Sequence, residues 1–333
     1  MSTKPRPTMM DIAAHAGVSQ ATVSLILNES PGASFSLATR ERVQKSASEL
    51  GYQLVRRSGT SVPNESRYIL FLADDFTSDP WMTLAYDGAR EKALEMGINV
   101  TLNITRSREA DSVIALHMPQ SVVGVIYGTI LTRAITPPPR LLEGPTVLLN
   151  CYDEKRRLAS VLPGDVAGGR TATEHLIKQG RKRIALINGQ DGLDAPRDRL
   201  NGYRQALASH DLPIDPELIR PGNWEPSSGY EQTMALLALD NPPDGIFCAN
   251  DMIAVGCYDA LKESGLRIPK DVSVIGFDDR EIAQFTRPPL TTLILPQFEM
   301  GRLAAELLLD STAGMPERPN QLKVECPLVV RSS

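Results

Sequence analysis

From Arg67 onward the chain consists of short apolar runs rich in β-branched residues, set between amphipathic helical stretches. The runs are Tyr68–Ala73, Ile98–Ile104, Val122–Tyr127, Thr146–Leu149, Arg183–Ile187, Gly245–Cys248 and Val272–Phe277. The helical stretches include Met82–Met96, Gly168–Gln179, Arg199–Ser209 and Met252–Ser264. A strand that is apolar on both faces has to be covered on both faces, and strand–helix alternation supplies that cover in a parallel sheet. Seven such strands exceed one small doubly wound unit, so two α/β lobes with a cleft between them are expected.

Residues 8–52 follow a different pattern and read as helices only. In Met9–Asn28, Ala13 is small where two helices cross, and Gly17 stands where the chain turns between them. Ser19 is placed to cap the second helix. Ile12, Ala16, Val18, Val23 and Ile26 recur at three- and four-residue spacing and make the contact between the helices. The opposite face of the second helix carries Gln20, Ala21, Ser24, Leu25 and Asn28, which are expected to enter a DNA major groove. Gln20 can pair two-pronged with adenine, and Ala21 or Leu25 can touch a thymine methyl. Thr22, Ser24, Arg40 and Arg42 suit phosphate oxygens, which fix register without reading sequence, and Ser19 at the helix start counts with them among the DNA-binding residues. A third helix, Leu37–Leu50, starts at a capping Ser36 and buries Val43, Ala47 and Leu50.

Charge divides along the chain in the same sense. The formal net charge is -5. Residues 1–60 carry seven Lys/Arg against four acids, leaving the head positive and everything after it acidic. A basic end on an acidic body suits a protein that grips phosphates with one part only. Residues 53–66 are polar, with Gly59 and Pro63, and read as a linker. Arg56 and Arg57 within it are phosphate candidates, against ordinary solvated linker charge.

Other classes find little support. Cys151, Cys248, Cys257 and Cys326 form no C-x-x-C pair and read as buried thiols in a reducing compartment. The N-terminus lacks the apolar core of a secretory signal. The longest apolar stretch, around Val122–Ile130, is too short to span a bilayer. A cytoplasmic protein is expected. There is no G-x-x-x-x-G-K-S/T, no G-x-S-x-G and no G-x-G-x-x-G opening a helix, so no cofactor, metal or catalytic residue is assigned.

Several motifs carry a resemblance: DIAAHAGVSQATVSLILN, TRERVQKSASELGY, RLNGYRQAL at Arg199–Leu207, FCANDMIAVG at Phe247–Gly256, VSVIGFDD at Val272–Asp279 and RPPLTTL at Arg287–Leu293. With these the chain resembles the lactose-repressor family of bacterial transcription regulators. The resemblance implies a helix-turn-helix head over 1–52, a hinge over 53–66, and a core over 67–333 like the periplasmic sugar-binding proteins, with parallel doubly wound sheets. Lobe one would take about 67–162 and 293–322, and lobe two about 163–290 and 323–333. It further implies a homodimer on a near-palindromic operator in double-stranded DNA, with no membrane partner and a small-molecule effector controlling repression.

Two positions depart from the family pattern. Leu25 stands where the family usually has Arg, which implies a different half-site preference. The usual hinge, with Pro-Asn after the Tyr and a Leu that wedges the minor groove, is replaced after Tyr52 by QLVRRSGTS, with Ser61 at the wedge position. Either Leu54 or Val62 substitutes, or the hinge forms no wedging helix.

A sugar site needs aromatic faces for ring C–H patches and planar polar groups for hydroxyls. Open α/β sheets bind ligands in the loops that follow their strands. By the resemblance, Trp81 and Trp224 match aromatic ligand contacts and Arg199 matches a ligand-binding Arg. Asn150, Asn250 and Asp278 stand at strand ends, and Thr77 and Arg133 are candidates from loop position. Each has a structural alternative: Arg199 as an internal ion pair, Trp81 as core, and Asp251 as a helix cap rather than a ligand contact. The functional alternatives are a solute-binding protein, a co-repressor-type regulator answering a non-sugar ligand such as a purine, and an α/β enzyme carrying a DNA-binding domain.

Overall fold

The computed structural model describes residues 7–27, 35–52, 67–74, 81–105, 110–117, 122–311 and 321–333. Asn28, Arg56, Arg57 and Thr77, with the whole 53–66 linker, lie outside these described residues.

The head holds helices α1 (Met9–Ala16), α2 (Gln20–Leu27) and α3 (Leu37–Glu49). Each start has a local cause. Thr8 and Asp11 cap α1 reciprocally: the Asp11 carboxylate accepts from Thr8 N at 2.7 Å and the Thr8 hydroxyl accepts from Asp11 N at 3.3 Å. Gly17 ends α1 at φ +64°, a conformation that glycine adopts without steric cost. Ser19 accepts from Thr22 N at 3.1 Å and Ser36 from Thr39 N at 3.2 Å. Ile12, Val23, Ile26 and Val43 are sealed between the three helices.

The core follows as β1 (Tyr68–Asp74), α4 (Trp81–Glu95), β2 (Asn99–Thr105), α5 (Ala110–His117), β3 (Val122–Ile135), β4 (Thr146–Asp153), β5 (Ala159–Pro163), α6 (Asp165–Lys178), β6 (Ile184–Ile187) and α7 (Asp194–Ser209). It continues through β7 (Ile219–Arg220), α8 (Pro226–Leu237), β8 (Gly245–Cys248), α9 (Asp251–Glu263), β9 (Ser273–Ile275), α10 (Ile282–Phe285), β10 (Thr292–Leu293), α11 (Gln297–Ser311), β11 (Gln321–Val324) and β12 (Leu328–Val329). The chain divides into two compact units. Unit 1 is Met1–Pro163 with Pro296–Val324, and unit 2 is Gly164–Leu295 with Glu325–Ser333.

Unit 1 has a six-stranded sheet in the order β11-β5-β4-β3-β1-β2, and every pairing is parallel. On one face α4 and α11 cross at glycines. A Cβ on Gly88 would stand 1.9 Å from the Phe298 carbonyl oxygen, and one on Gly301 would stand 1.8 Å from that of Ala85. Unit 2 has a four-stranded parallel sheet, β7-β6-β8-β9. Its helices pair in the same way, α6 with α7 at Gly169 and Gly202, and α8 with α9 at Gly229 and Gly256. The short antiparallel pair β10–β12 belongs to unit 2 as well. Among the described residues no helix is long and apolar enough to cross a membrane.

Strand β3 runs well past the expected apolar run. It continues through Thr129–Ile135 and changes register against β4, so that Gly128 pairs with Leu149 and Arg133 with Cys151. Past the buried Thr129 the residues of this extension are partly or fully exposed, and pairing there no longer requires apolar side chains.

Candidate effector site and DNA-reading head

The four parallel strands of unit 2 end at one edge, and the polar residues gather there. Asn188 follows β6, Trp224 lies four residues beyond β7, Asn250 two beyond β8 and Asp278 three beyond β9. Arg199 reaches this edge from α7. It is 3% exposed, and its Nε donates to Asp165 Oδ1 at 2.8 Å. Nη1 donates to the Ala249 carbonyl, and Nη2 stands 4.0 Å from Asp278 Oδ1. The guanidinium lies 3.6 Å above the Phe277 ring and 5.8 Å from the Trp224 ring centre. Burial works against its charge, but the Asp165 and Asp278 carboxylates outweigh burial and hold it above its ordinary value. Both readings of Arg199 therefore describe the same side chain: it is an ion pair, and it stands among the other candidates.

Trp224 is held from below and behind. Its ring rests on the backbone of Gly189, where a Cβ would fall 2.2 Å from the indole. Its carbonyl accepts from Asn250 Nδ2 at 3.1 Å, while Asn250 Oδ1 caps α9 by accepting from Ile253 N at 2.8 Å. The helix cap assigned to Asp251 is thus made by Asn250. Asp251 instead lies fully buried and ties three segments together: Oδ1 accepts from Thr292 Oγ1 at 2.6 Å, and Oδ2 accepts from Arg280 N at 2.6 Å. Burial, and then the nearby Asp278 charge, raise its carboxyl well above the ordinary range. Asp279 pairs with Arg331 at 2.7 Å.

In unit 1, Trp81 opens α4 and is 8% exposed. Arg133 Nη2 donates to the buried Asp74 carboxylate at 2.8 Å. Asn150 is occupied internally: its Oδ1 accepts from Thr132 Oγ1 at 2.6 Å, and its Nδ2 donates to the carbonyls of Thr129 and Ile130 at 3.0 and 2.7 Å. This pins the register change in β3. Asn150 (φ +56°), Trp224 (φ +71°) and Asp278 (φ +108°) all adopt left-handed backbone, a costly state for non-glycine residues and one that concentrates at functional loops.

Asp165, Phe277 and Asn188 were not among the sequence candidates. Asp165 follows β5, a strand of only five residues containing Ser160 and Pro163 that gave no clear apolar signal. Asn188 directly follows the recognised strand β6, so the strand-end rule already pointed to it.

In the head, Gln20, Thr22, Leu25, Ser19 and Arg40 are partly exposed, as a groove-facing surface requires. Ala21 and Ser24 are 3% and 2% exposed, which corrects their placement on a free face. Ser24 lies beside Glu299 of α11, where its hydroxyl partly offsets the upward push of burial on that carboxyl.

Comparison with known proteins agrees with these features. Residues 8–53 match the model of bacterial regulatory proteins, lacI family, and residues 173–333 match a periplasmic binding protein-like domain. The chain is 34% identical over 330 residues to the HTH-type transcriptional repressor CytR of Escherichia coli, covering 98% of this chain and 96% of the relative. Among solved structures, a complex of the transcriptional regulator CelR with cellobiose shares 31% identity at a TM-score of 0.67, covering 98% of this chain and all of the other. A lac repressor dimer bound to operator and the anti-inducer ONPF shares 28% identity at a TM-score of 0.67, covering 99% of each chain. A helix-turn-helix head, two parallel α/β units and similarity along nearly the whole chain make one identification: this protein is a DNA-binding transcription regulator of the lacI family.

Proposed function

We propose that this chain is a transcriptional repressor of carbohydrate-utilisation genes that binds a near-palindromic operator as a homodimer and changes its operator affinity when a small sugar-like effector binds its core. The observation that carries the effector class is the edge of the unit 2 sheet. There an indole face, Trp224, stands beside a buried guanidinium whose charge is matched by two carboxylates. An aromatic face receives ring C–H groups, and fixed planar polar groups receive hydroxyls. The CelR complex with cellobiose and the lac repressor dimer on its operator support the same reading. Arg199, Trp224, Asn250 and Asp278 are the core of the proposed site in unit 2. Trp81, Arg133 and Asn150 are proposed as effector-binding residues of unit 1. We assign the protein no catalysed reaction, since its relatives are regulators and the acids around Arg199 are engaged with cations. A bacterial regulator working on DNA acts in the cytoplasm.

Calorimetry of the full chain with ribose, glucose, cellobiose, adenine and hypoxanthine tests the effector class. Heat on binding a neutral sugar, lost in Arg199→Ala, supports it. Binding of the purines alone would replace the sugar reading with a nucleobase one, for which Trp224 would serve as the stacking face.

A further inference from the structure

Two unspent hydrogen-bonding atoms lie in the loops after neighbouring strands β6 and β7. Asn188 is 6% exposed. Its backbone N donates to the Arg220 carbonyl at 2.8 Å, and its Nδ2 donates to the Pro196 carbonyl at 3.1 Å. The side chain is therefore fixed with its amide nitrogen toward the start of α7, and its Oδ1 is buried with no hydrogen-bond partner among the described residues. Trp224 Nε1 is likewise buried with no partner among the described residues, in a residue whose backbone is already in the left-handed region. The two loops touch through glycines: the Trp224 ring lies on Gly189, and a Cβ on Gly222 would stand 2.1 Å from the Asn188 carbonyl oxygen. A buried acceptor without a donor and a buried donor without an acceptor each cost stability. Keeping both beside the aromatic shelf is economical if a ligand supplies what they lack.

We infer that Asn188 is a specificity-determining residue for the effector, its Oδ1 accepting the hydrogen of an effector hydroxyl at the Trp224 end of the site while Trp224 Nε1 donates to an effector oxygen. A hydroxyl gives one hydrogen and accepts others, so a polyol meets both needs; a ligand with acceptors only leaves Asn188 unmet. This inference rests on the reading of unit 2 as a sugar-type effector site, and it adds the residue that selects among such ligands.

The test is calorimetry of the full chain and its Asn188→Ala variant with ribose, glucose and cellobiose, together with monodeoxy analogues of whichever binds. Wild type is expected to lose about tenfold in affinity when the contacted hydroxyl is removed from the ligand, the size of one hydrogen bond to a buried group. Asn188→Ala is expected to bind the parent sugar about tenfold more weakly, with that deoxy analogue bound equally by both proteins, the pattern of a direct contact in a double-mutant cycle. If Asn188→Ala does not fold, Asn188→Ser is the second variant: it keeps a polar side chain but withdraws the Oδ1 acceptor, and it should flatten the discrimination among the deoxy analogues. A sugar that binds wild type and Asn188→Ala alike, with every deoxy analogue losing the same factor in both, overturns the inference while leaving the sugar site standing. It would assign the unspent atoms to ordered water. If wild type binds none of the sugars, the effector reading itself fails and this inference fails with it.

Discussion

The hydroxyl of Thr292 donates to Asp251 Oδ1 at 2.6 Å, and both residues are sealed from solvent. Through that bond the start of α9 is fastened to β10. Through Asp251 Oδ2 and Arg280 N it is fastened also to the segment after β9. The residues on either side of these fastenings, Asn250 and Asp278, belong to the proposed effector site, so Asp251 positions them without having to touch a ligand. Asp251→Ala removes the short acceptor of the buried Thr292 hydroxyl and the carboxylate that holds Arg280 N, and is expected to cost about 2–4 kcal/mol in urea unfolding. Gly276→Ala should act in the same direction, because its Cβ would stand 2.2 Å from Asp251 Oδ1. An unchanged unfolding midpoint in both variants would contradict this role.

Arg199 separates stability from recognition. Removing it takes the 2.8 Å cation from buried Asp165 and leaves Asp278 with Arg280 at 3.8 Å, a change expected to cost about 3–5 kcal/mol. Arg199→Lys keeps the charge but gives up the planar contact with Phe277 and the fork of donors. It is expected to recover part of the thermal stability and little of the effector affinity. Differential scanning calorimetry alongside ligand titration checks both halves.

Two acids predict opposite pH dependences. The Arg157 side chain, with backbone N–H groups of Arg157 and Lys155, holds the Asp153 carboxyl down at about 2 against the opposing effect of burial. A folded value below the unfolded 3.8 means that its contribution is complete above that pH and is lost as pH falls towards 2. Asp251 is shifted upward by burial and by Asp278. Its contribution is present below 3.8 and is lost as pH rises through its folded value. Thermal melts across pH should therefore show Asp153→Asn flattening the acid limb and Asp251→Asn flattening the decline above it. The reverse assignment would contradict these shifts.

In the head, Gln20 is the candidate base reader and Leu25 replaces the family's usual Arg. Gln20→Ala is expected to cost about 1–3 kcal/mol on the preferred operator and to relax selection at one adenine. Leu25→Arg is expected to shift selection towards guanine at one half-site position. Sequencing of operator pools selected by each variant reads both effects, and identical pools from all three proteins would contradict them.

Much of this architecture is legible in the sequence because burial writes a pattern. Strands β1 and β8 are apolar runs with clear ends, and the turn at Gly17 with the caps at Ser19 and Ser36 follows from local chemistry. What was not legible depends on residues far apart in the chain. The pairing of Arg199 with Asp165 spans 34 residues, and nothing local to either marks it. Asn150 looks like any strand-end amide until the register change in β3 uses both ends of its side chain. The left-handed backbones of Trp224 and Asp278 have no signal in residue type, since glycine is what such positions ordinarily favour. The burial of Ser24 comes from a neighbour, Glu299, that helix periodicity within the head cannot reveal.

The most direct test of the account is fluorescence anisotropy of the full chain titrated onto the palindrome nearest its own promoter, at fixed salt, with and without the sugar that calorimetry identifies. Tight operator binding is expected, with a shift in affinity on adding the sugar and loss of that shift in Arg199→Ala while binding without sugar persists. Absence of specific operator binding at low salt, under every effector condition, would contradict it.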